Sequence, residues 1–195
     1  MAEIFVIMGK SSSGKDTVFA RLVQDGGLKT VTMYTTRPMR DGEAEGREYF
    51  FTDEKHCTEM EKQGKIVELR AYNTVYGVWK YFTVDDGQID VHSDESYIII
   101  GTLEAYGQIR KYYGKEHVHP IYIEVDSGTR IHRALAREDS QKNPKYAEMC
   151  RRFLADEKDF SEDKISRLGI ETRFENLDLE KCIEKIHAYI DDVIN

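Results

Sequence analysis

Five apolar residues, Ile4-Phe5-Val6-Ile7-Met8, run directly into Gly9-Lys10-Ser11-Ser12-Ser13-Gly14-Lys15, and an amphipathic stretch carrying Val18, Phe19, Leu22 and Val23 follows. A strand, a glycine-rich turn and a helix in immediate succession leave few architectures open. The pattern G-x-x-x-x-G-K is complete. Such a loop wraps a phosphate with backbone N–H groups at the positive end of the helix. Glycine permits the backbone angles, and Lys15 sets a point charge on the β- and γ-phosphates. Gly9, Ser11, Ser12, Ser13, Gly14, Lys15, Asp16 and Thr17 are thus the expected polyphosphate-binding residues. A Ser or Thr that reaches Mg²⁺ normally follows the lysine. Here Asp16 stands in that place, with a hydroxyl at Thr17. A carboxylate beside a polyphosphate is repelled unless Mg²⁺ lies between them, directly or through water. Asp16 or Thr17 is therefore a candidate metal group, and the alternative is an Asp16 side chain turned away.

Beyond this loop, short apolar segments alternate with helical patterns. Strands are predicted at Ile4–Met8, 28–34, 66–72, 97–101 and Val118–Glu124, and helices from Lys15, at Leu103–Tyr113 and at 128–136. The alternation, and the near-continuous apolar character of the strands, predict an α/β fold. This is a three-layer α/β/α arrangement with a mostly parallel central sheet. Two further helices are periodic. Tyr146, Met149, Cys150, Phe153 and Leu154 line one stripe; Leu179, Cys182, Ile183, Ile186, Ile190 and Val193 line another, with Asp178 as N-cap. Both stripes are expected to face a core, which makes Cys150 and Cys182 buried structural thiols; Cys57 receives the same reading. Three widely spaced cysteines fit a reducing, cytoplasmic setting. The segment Met1, Ala2, Glu3 does not resemble a signal peptide, and no apolar run approaches the roughly 20 residues that span a bilayer.

Charge bears on the partners. The 195 residues carry 36 acidic and 28 basic side chains, a net −8. That balance disfavours a nucleic-acid polymer, because the overall field repels phosphates. Yet residues 130–152 hold seven basic residues against three acidic ones. The polar stretch 138–145, with Asn143-Pro144, reads as a flexible loop with arginines at both hinges; a solvated helix face is the bland alternative. The two histidines His117 and His119 lack a third ligand and read as surface or strand packing.

A second anion site is visible in Thr35-Thr36-Arg37-Pro38-Met39-Arg40-Asp41-Gly42-Glu43, continuing to Gly46-Arg47-Glu48-Tyr49. Two arginines three apart and a tyrosine can converge on one phosphate, the arginines by bidentate bonds. This T-T-R-x-x-R-x-G-E-x-x-G-x-x-Y segment resembles the guanylate kinases, a family of P-loop nucleoside monophosphate kinases. The likeness extends through Val67-Glu68, Val75-Tyr76-Gly77, the basic lid segment and Asn176. It covers most of the chain and is weakest from about residue 79 to 101.

The resemblance implies a single domain over 1–195. It has a core of 1–32 and 97–195, a monophosphate-binding subdomain over about 33–96 and a helical lid over about 137–152. It implies ATP with Mg²⁺ as donor and a nucleoside monophosphate, foremost GMP, as acceptor. Arg37, Arg40, Tyr49 and Tyr76 would hold the acceptor phosphate, and Glu68 would accept from guanine N1–H and the exocyclic amine. Arg133, Arg137 and Arg152 would close over the transferring group with Lys15, and Asn176 would lie at the adenine pocket. No nucleic-acid polymer or membrane partner is expected, and the expected assembly is a monomer or weak dimer.

The chain departs from the family at several places. Met33 stands where the family has serine, Val78 replaces a small hydroxyl residue, and Ile100-Gly101-Thr102-Leu103-Glu104 replaces an Asp-x-Asp. Two other readings follow: a related P-loop kinase with a different phosphorylated acceptor, and a non-catalytic guanylate-kinase-like binding module.

Overall fold

Ile4, Phe5, Val6, Ile7 and Met8 are all fully buried in the computed structural model, which describes residues 2–74 and 76–195. They form the central strand β1 (Ile4–Met8), which leads through the glycine-rich loop into α1 (Lys15–Asp25). Next come β2 (Leu28–Thr30), β3 (Tyr34–Thr35), β4 (Phe50–Phe51) and α2 (Glu54–Lys62). A long pair, β5 (Ile66–Thr74) and β6 (Gly77–Val84), follows, then β7 (Ser96–Ile100), α3 (Leu103–Tyr113) and β8 (Val118–Glu124). The chain ends with α4 (Ser127–Asp139), α5 (Tyr146–Asp159), α6 (Glu162–Arg167), β9 (Arg173–Glu175) and α7 (Leu179–Ile194). Val75, which the family likeness includes, lies outside the described residues.

Five strands form one parallel sheet in the order β2-β7-β1-β8-β9. Alternate residues of its strands feed two cores, one per face. Ile4, Val6, Tyr97 and Ile99 pack with Leu103, Tyr106 and Ile109 of α3. Phe5, Ile7, Ile98 and Ile121 pack with Val18 and Leu22 of α1 and with Cys182, Ile183, Ile186 and Ile190 of α7. This is the α/β fold with a mostly parallel central sheet that the strand–helix alternation predicts. Side chains cap the helices: Thr102 accepts from Ala105 N–H, Asp126 from Thr129 N–H and Asp178 from Lys181 N–H. No described helix is long and apolar enough to cross a membrane.

A second sheet, β4-β3-β6-β5, stands apart and has its own small core of Cys57, Met60, Phe82 and Val84. The single strand expected over 28–34 is split between the two sheets. The Gln88 side chain explains the break. Its Oε1 accepts from Thr32 N–H at 2.8 Å and its Nε2 donates to Thr32 O at 3.1 Å, so Thr32 bonds to a side chain instead of a ladder. The helix expected over 128–136 runs on to Asp139, which shortens the following loop.

One helix stripe is not core. Helix α5 buries no residue; Tyr146 is 45% and Leu154 69% exposed, and Cys150 is exposed. The expectation of a buried Cys150 is therefore wrong. Periodicity reports that a helix has an apolar stripe, not what covers it, and α5 is held by its charged edge instead. Cys57 and Cys182 are fully buried as expected, and burial pushes the Cys182 thiol up to about 11. A disulfide-exchange reagent should therefore label one thiol per native chain quickly. Cys150→Ser should remove that fast phase, leaving Cys57 and Cys182 to react only on unfolding; two fast thiols would contradict the fold.

Candidate active site

The glycine-rich loop after β1 is strained and tightly packed. Ser12 has φ 63°, the one non-glycine among the described residues in the left-handed region, and Gly14 follows with φ 85°. Gly9 has no room for a side chain: a Cβ there would lie 2.7 Å from Ile123 O and from Ser13 Oγ. Gly14 is also crowded, since a Cβ would meet Asn176 Nδ2 at 2.4 Å. The Ser12 and Ser13 hydroxyls are buried without a hydrogen-bond partner, as expected of groups shaped to receive an oxyanion. Lys15 and Asp16 begin α1 with Nζ and Oδ2 3.7 Å apart, and Asp16 and Thr17 are exposed at the loop's mouth.

Asn176 and Arg133 brace this loop. Asn176 Nδ2 donates to Ser13 O at 2.8 Å, and Arg133 Nη2 donates to Asn176 O at 2.9 Å. Asn176 is 5% exposed, so its side chain holds the loop rather than standing free in a pocket.

Helix α5 closes on the same loop with carboxylates. Ser11 N–H donates to Asp156 Oδ2 at 2.6 Å. Glu157 bridges Lys10 (2.9 Å) and the buried Arg130 (3.0 Å), whose guanidinium lies over the Phe153 ring at 4.6 Å. Asp156 thus occupies a backbone donor that would otherwise serve a phosphate. Neither Asp156 nor Glu157 is a sequence-predicted site residue; they lie 145 or more positions from the loop, and only the fold brings them together.

The residues of the expected second anion site gather at the small sheet. Arg37 is 3% exposed and forms a fork on Glu43, Nη2 to Oε1 at 2.8 Å and Nη1 to Oε2 at 3.0 Å. Those hydrogen bonds hold the Glu43 carboxyl below its ordinary value. Glu43 Oε2 also accepts from Arg40 N–H, while the Arg40 side chain is exposed. The Arg37 guanidinium lies 5.5 Å from the Tyr49 ring centre, and burial raises the Tyr49 phenol, which keeps it a donor. Tyr81, not among the sequence-predicted residues, sits beside Arg37 and packs edge-on against both Tyr49 and Tyr72. Its only sequence signal is alternation along β6.

The remaining expected residues fall in three places. Glu68 is 1% exposed, and both its oxygens are taken by Arg70, with Thr83 adding a third bond. Tyr76 is 81% exposed near the β5–β6 turn and stacks on Trp79, centroids 5.9 Å apart. Arg137 and Arg152 line one cavity of about 220 Å³ together with Glu148, which takes both Arg151 and Arg152. These arginines hold the Glu148 carboxyl down to about 2. A larger cleft of about 860 Å³ is lined by Tyr72 of β5, Thr102 and Glu104 at the start of α3, and Arg152 and Asp156 of α5.

The family model of guanylate kinase matches residues 1–193. A guanylate kinase of a Wolbachia endosymbiont is 25% identical over 193 residues, 96% of this chain and 91% of that protein. A Legionella pneumophila guanylate kinase is 34% identical over 76 residues, and that match spans only 36% of the relative. Among solved structures, a guanylate kinase from Anaplasma phagocytophilum shares the fold with a TM-score of 0.68 at 19% identity. That match covers 98% of this chain and 85% of that one.

The Asp156 contact yields a test of the loop. Asp156→Asn removes the negative charge from the Ser11 amide, and ATP with Mg²⁺ should bind about 3- to 10-fold tighter, from roughly 1 kcal/mol of displaced charge-assisted hydrogen bond. Calorimetry decides; unchanged or weaker binding would show that the carboxylate does not compete with phosphate.

Proposed function

The chain belongs to the guanylate kinase family, and on that premise we propose that it transfers the γ-phosphoryl group of ATP to a nucleoside monophosphate, with GMP as the foremost acceptor. The observation that carries the reading is the large cleft between β5, α3 and α5. It is bounded by Asp156, which sits on the phosphate loop, and by Tyr72, on the sheet that holds Arg37 and Tyr49. In this reading the donor site borders the cleft through Asp156 and the acceptor site through Tyr72 and its neighbour Tyr81, an arrangement that would suit transfer between two phosphorylated molecules.

Phosphoryl transfer needs alignment and charge neutralisation more than covalent help. In the proposed reaction an oxygen of the acceptor phosphate attacks the γ-phosphorus, the bond to the bridging oxygen breaks, and ADP leaves. The loop amides, Lys15 and the Ser12 and Ser13 hydroxyls would hold the donor phosphates. Arg37 would leave Glu43 for the acceptor phosphate, with Tyr49 and Tyr81 as neutral donors and Arg40 at the rim. Tyr76 would have to swing in from the hairpin tip. Arg137 and Arg152 would turn from the lid onto the transferring group, and Arg133 would reach it beside Asn176. Asp16 is exposed at the loop's mouth and offers the hard oxygen that suits Mg²⁺ held through water. When bound with ATP, that ion would neutralise phosphate charge. A cytoplasmic setting and a monomer or weak dimer belong to the same proposal.

One observation favours a variant of this reading. Glu68 is spent on Arg70, so recognition of the acceptor base differs from what a free carboxylate would do. A related acceptor is therefore the second reading.

The test is coupled ADP release with ATP, Mg²⁺ and a panel of monophosphates. Lys15→Ala should lower kcat/KM by at least about 100-fold, since it removes the charge on the transferring phosphates. A wild-type chain no faster than this variant with every acceptor would end the kinase reading.

A further inference from the structure

Glu68, Arg70 and Tyr72 alternate along β5 and so share one face, opposite Thr83, Tyr81 and Trp79 of β6. Tyr72 on this face lines the cleft. Arg70 is 8% exposed, and Glu68 beneath it is 1% exposed. The two meet in a fork: Arg70 Nε donates to Oε2 at 2.9 Å and Nη2 to Oε1 at 3.1 Å. Thr83 Oγ1 donates to Oε1 at 3.1 Å and fixes the carboxylate from the other side. The acceptor capacity of Glu68 is thus largely used inside the protein.

The fork consumes only one edge of the guanidinium. The Nη1–Nη2 edge meets the Met33 thioether, 3.3 Å from Nη2, and has the Tyr72 phenol nearby. A thioether is a weak acceptor. No carboxylate or carbonyl among the described residues takes this edge. A buried guanidinium held rigid on one side, whose other edge meets only the weak Met33 acceptor and the Tyr72 phenol, is suited to a ligand that brings two stronger acceptors.

We propose that Arg70, not Glu68, reads the acceptor base, and that it takes the O6/N7 edge of a 6-oxopurine. Two parallel N–H donors match O6 and N7 of guanine or hypoxanthine, the pairing by which arginine reads guanine elsewhere. Adenine sets an N6 amino group where O6 would be, which puts donor against donor. Glu68 is then a positioning residue that holds the guanidinium plane. The 2-amino group, which distinguishes GMP from IMP, is left without a dedicated carboxylate, so the two 6-oxopurine monophosphates are treated alike. This inference rests on the kinase reading for the reaction, but its readout is binding.

The experiment measures calorimetric binding of GMP, IMP and AMP to the full-length chain, with kcat/KM in parallel, for wild type, Arg70→Lys, Arg70→Gln and Glu68→Gln. Wild type should bind GMP and IMP within about 5-fold of each other and AMP at least about 50-fold more weakly. Both Arg70 variants should weaken GMP and IMP together by about 10- to 100-fold and leave AMP within about 3-fold, the range expected for one bidentate base contact. Arg70→Lys retains a charge for Glu68 but not the fork, so it reports recognition even where Arg70→Gln melts early. Glu68→Gln should weaken GMP and IMP by the same factor. A GMP-over-IMP preference above about 50-fold that Glu68→Gln abolishes and Arg70→Lys leaves intact would return base reading to the carboxylate and overturn the proposal, as would Arg70 variants that bind all three like wild type. Selective binding without ADP release removes the kinase reading and leaves base recognition standing. ADP release with wild-type selectivity in both Arg70 variants does the reverse.

Discussion

The bond from Asn176 Nδ2 to Ser13 O spans 163 positions of sequence, and the phosphate loop depends on it. Asn176 sits just after β9, where its own N–H donates to Glu124 O at the end of β8. Its carbonyl takes Arg133 from α4. One buried residue therefore ties the loop, through its side chain, to the far edge of the sheet and to α4, through its backbone. Without it, Ser13 O would be left unsatisfied in a buried setting, and Ser12 and Gly14 would hold left-handed angles with less support. The same contact explains why residue 14 must be glycine twice over: for its φ, and because any Cβ would press on the amide.

Around this brace, most groups prepared for phosphate already carry a carboxylate. Arg37 holds Glu43, the Ser11 amide holds Asp156, Lys10 holds Glu157 and Arg152 holds Glu148. Ligand binding is then an exchange of one oxyanion for another rather than the filling of a bare positive pocket. That gives the net charge of −8 a local meaning. The acidic residues that seemed to oppose phosphate partners include those that keep the cationic groups soluble and in place until phosphate arrives. The exchange also avoids the cost of buried, unpaired arginines, which at Arg37 would be severe.

What could be read from sequence follows from how local each signal is. The strand–loop–helix at Ile4 to Lys15, the cap at Asp178 and the buried stripe of α7 are written in neighbouring residues, and they stand in the fold as expected. The match of Arg37 with Tyr49 needs only a short loop. Cys150 was misplaced because a stripe has the same period whether it meets a core or solvent. The 28–34 segment has the pattern of one strand because the group that interrupts it, Gln88, is 56 residues from Thr32. Asp156, Arg70 and Tyr81 were missed for a related reason. A carboxylate on a helix, an arginine two places after a glutamate and a tyrosine in a strand are ordinary until topology sets them against the loop, the buried Glu68 carboxylate and Arg37.

The contrast between α7 and α5 connects this to motion. Helix α7 buries four apolar residues against the sheet, and displacing it would expose them all. Helix α5 buries none and is held by Asp156, Glu157 and the Arg130–Phe153 contact. Helix α5 thus rests on a few polar contacts, the buried Arg130 among them, and one of these contacts, at the Ser11 amide, is one that a donor phosphate would compete for in the proposed reaction. On the proposed reading, a donor phosphate that took the Ser11 amide from Asp156 would loosen the helix that carries Arg151 and Arg152. On that same reading, the lack of a buried stripe is what would let α5 move as a lid coupled to the loop.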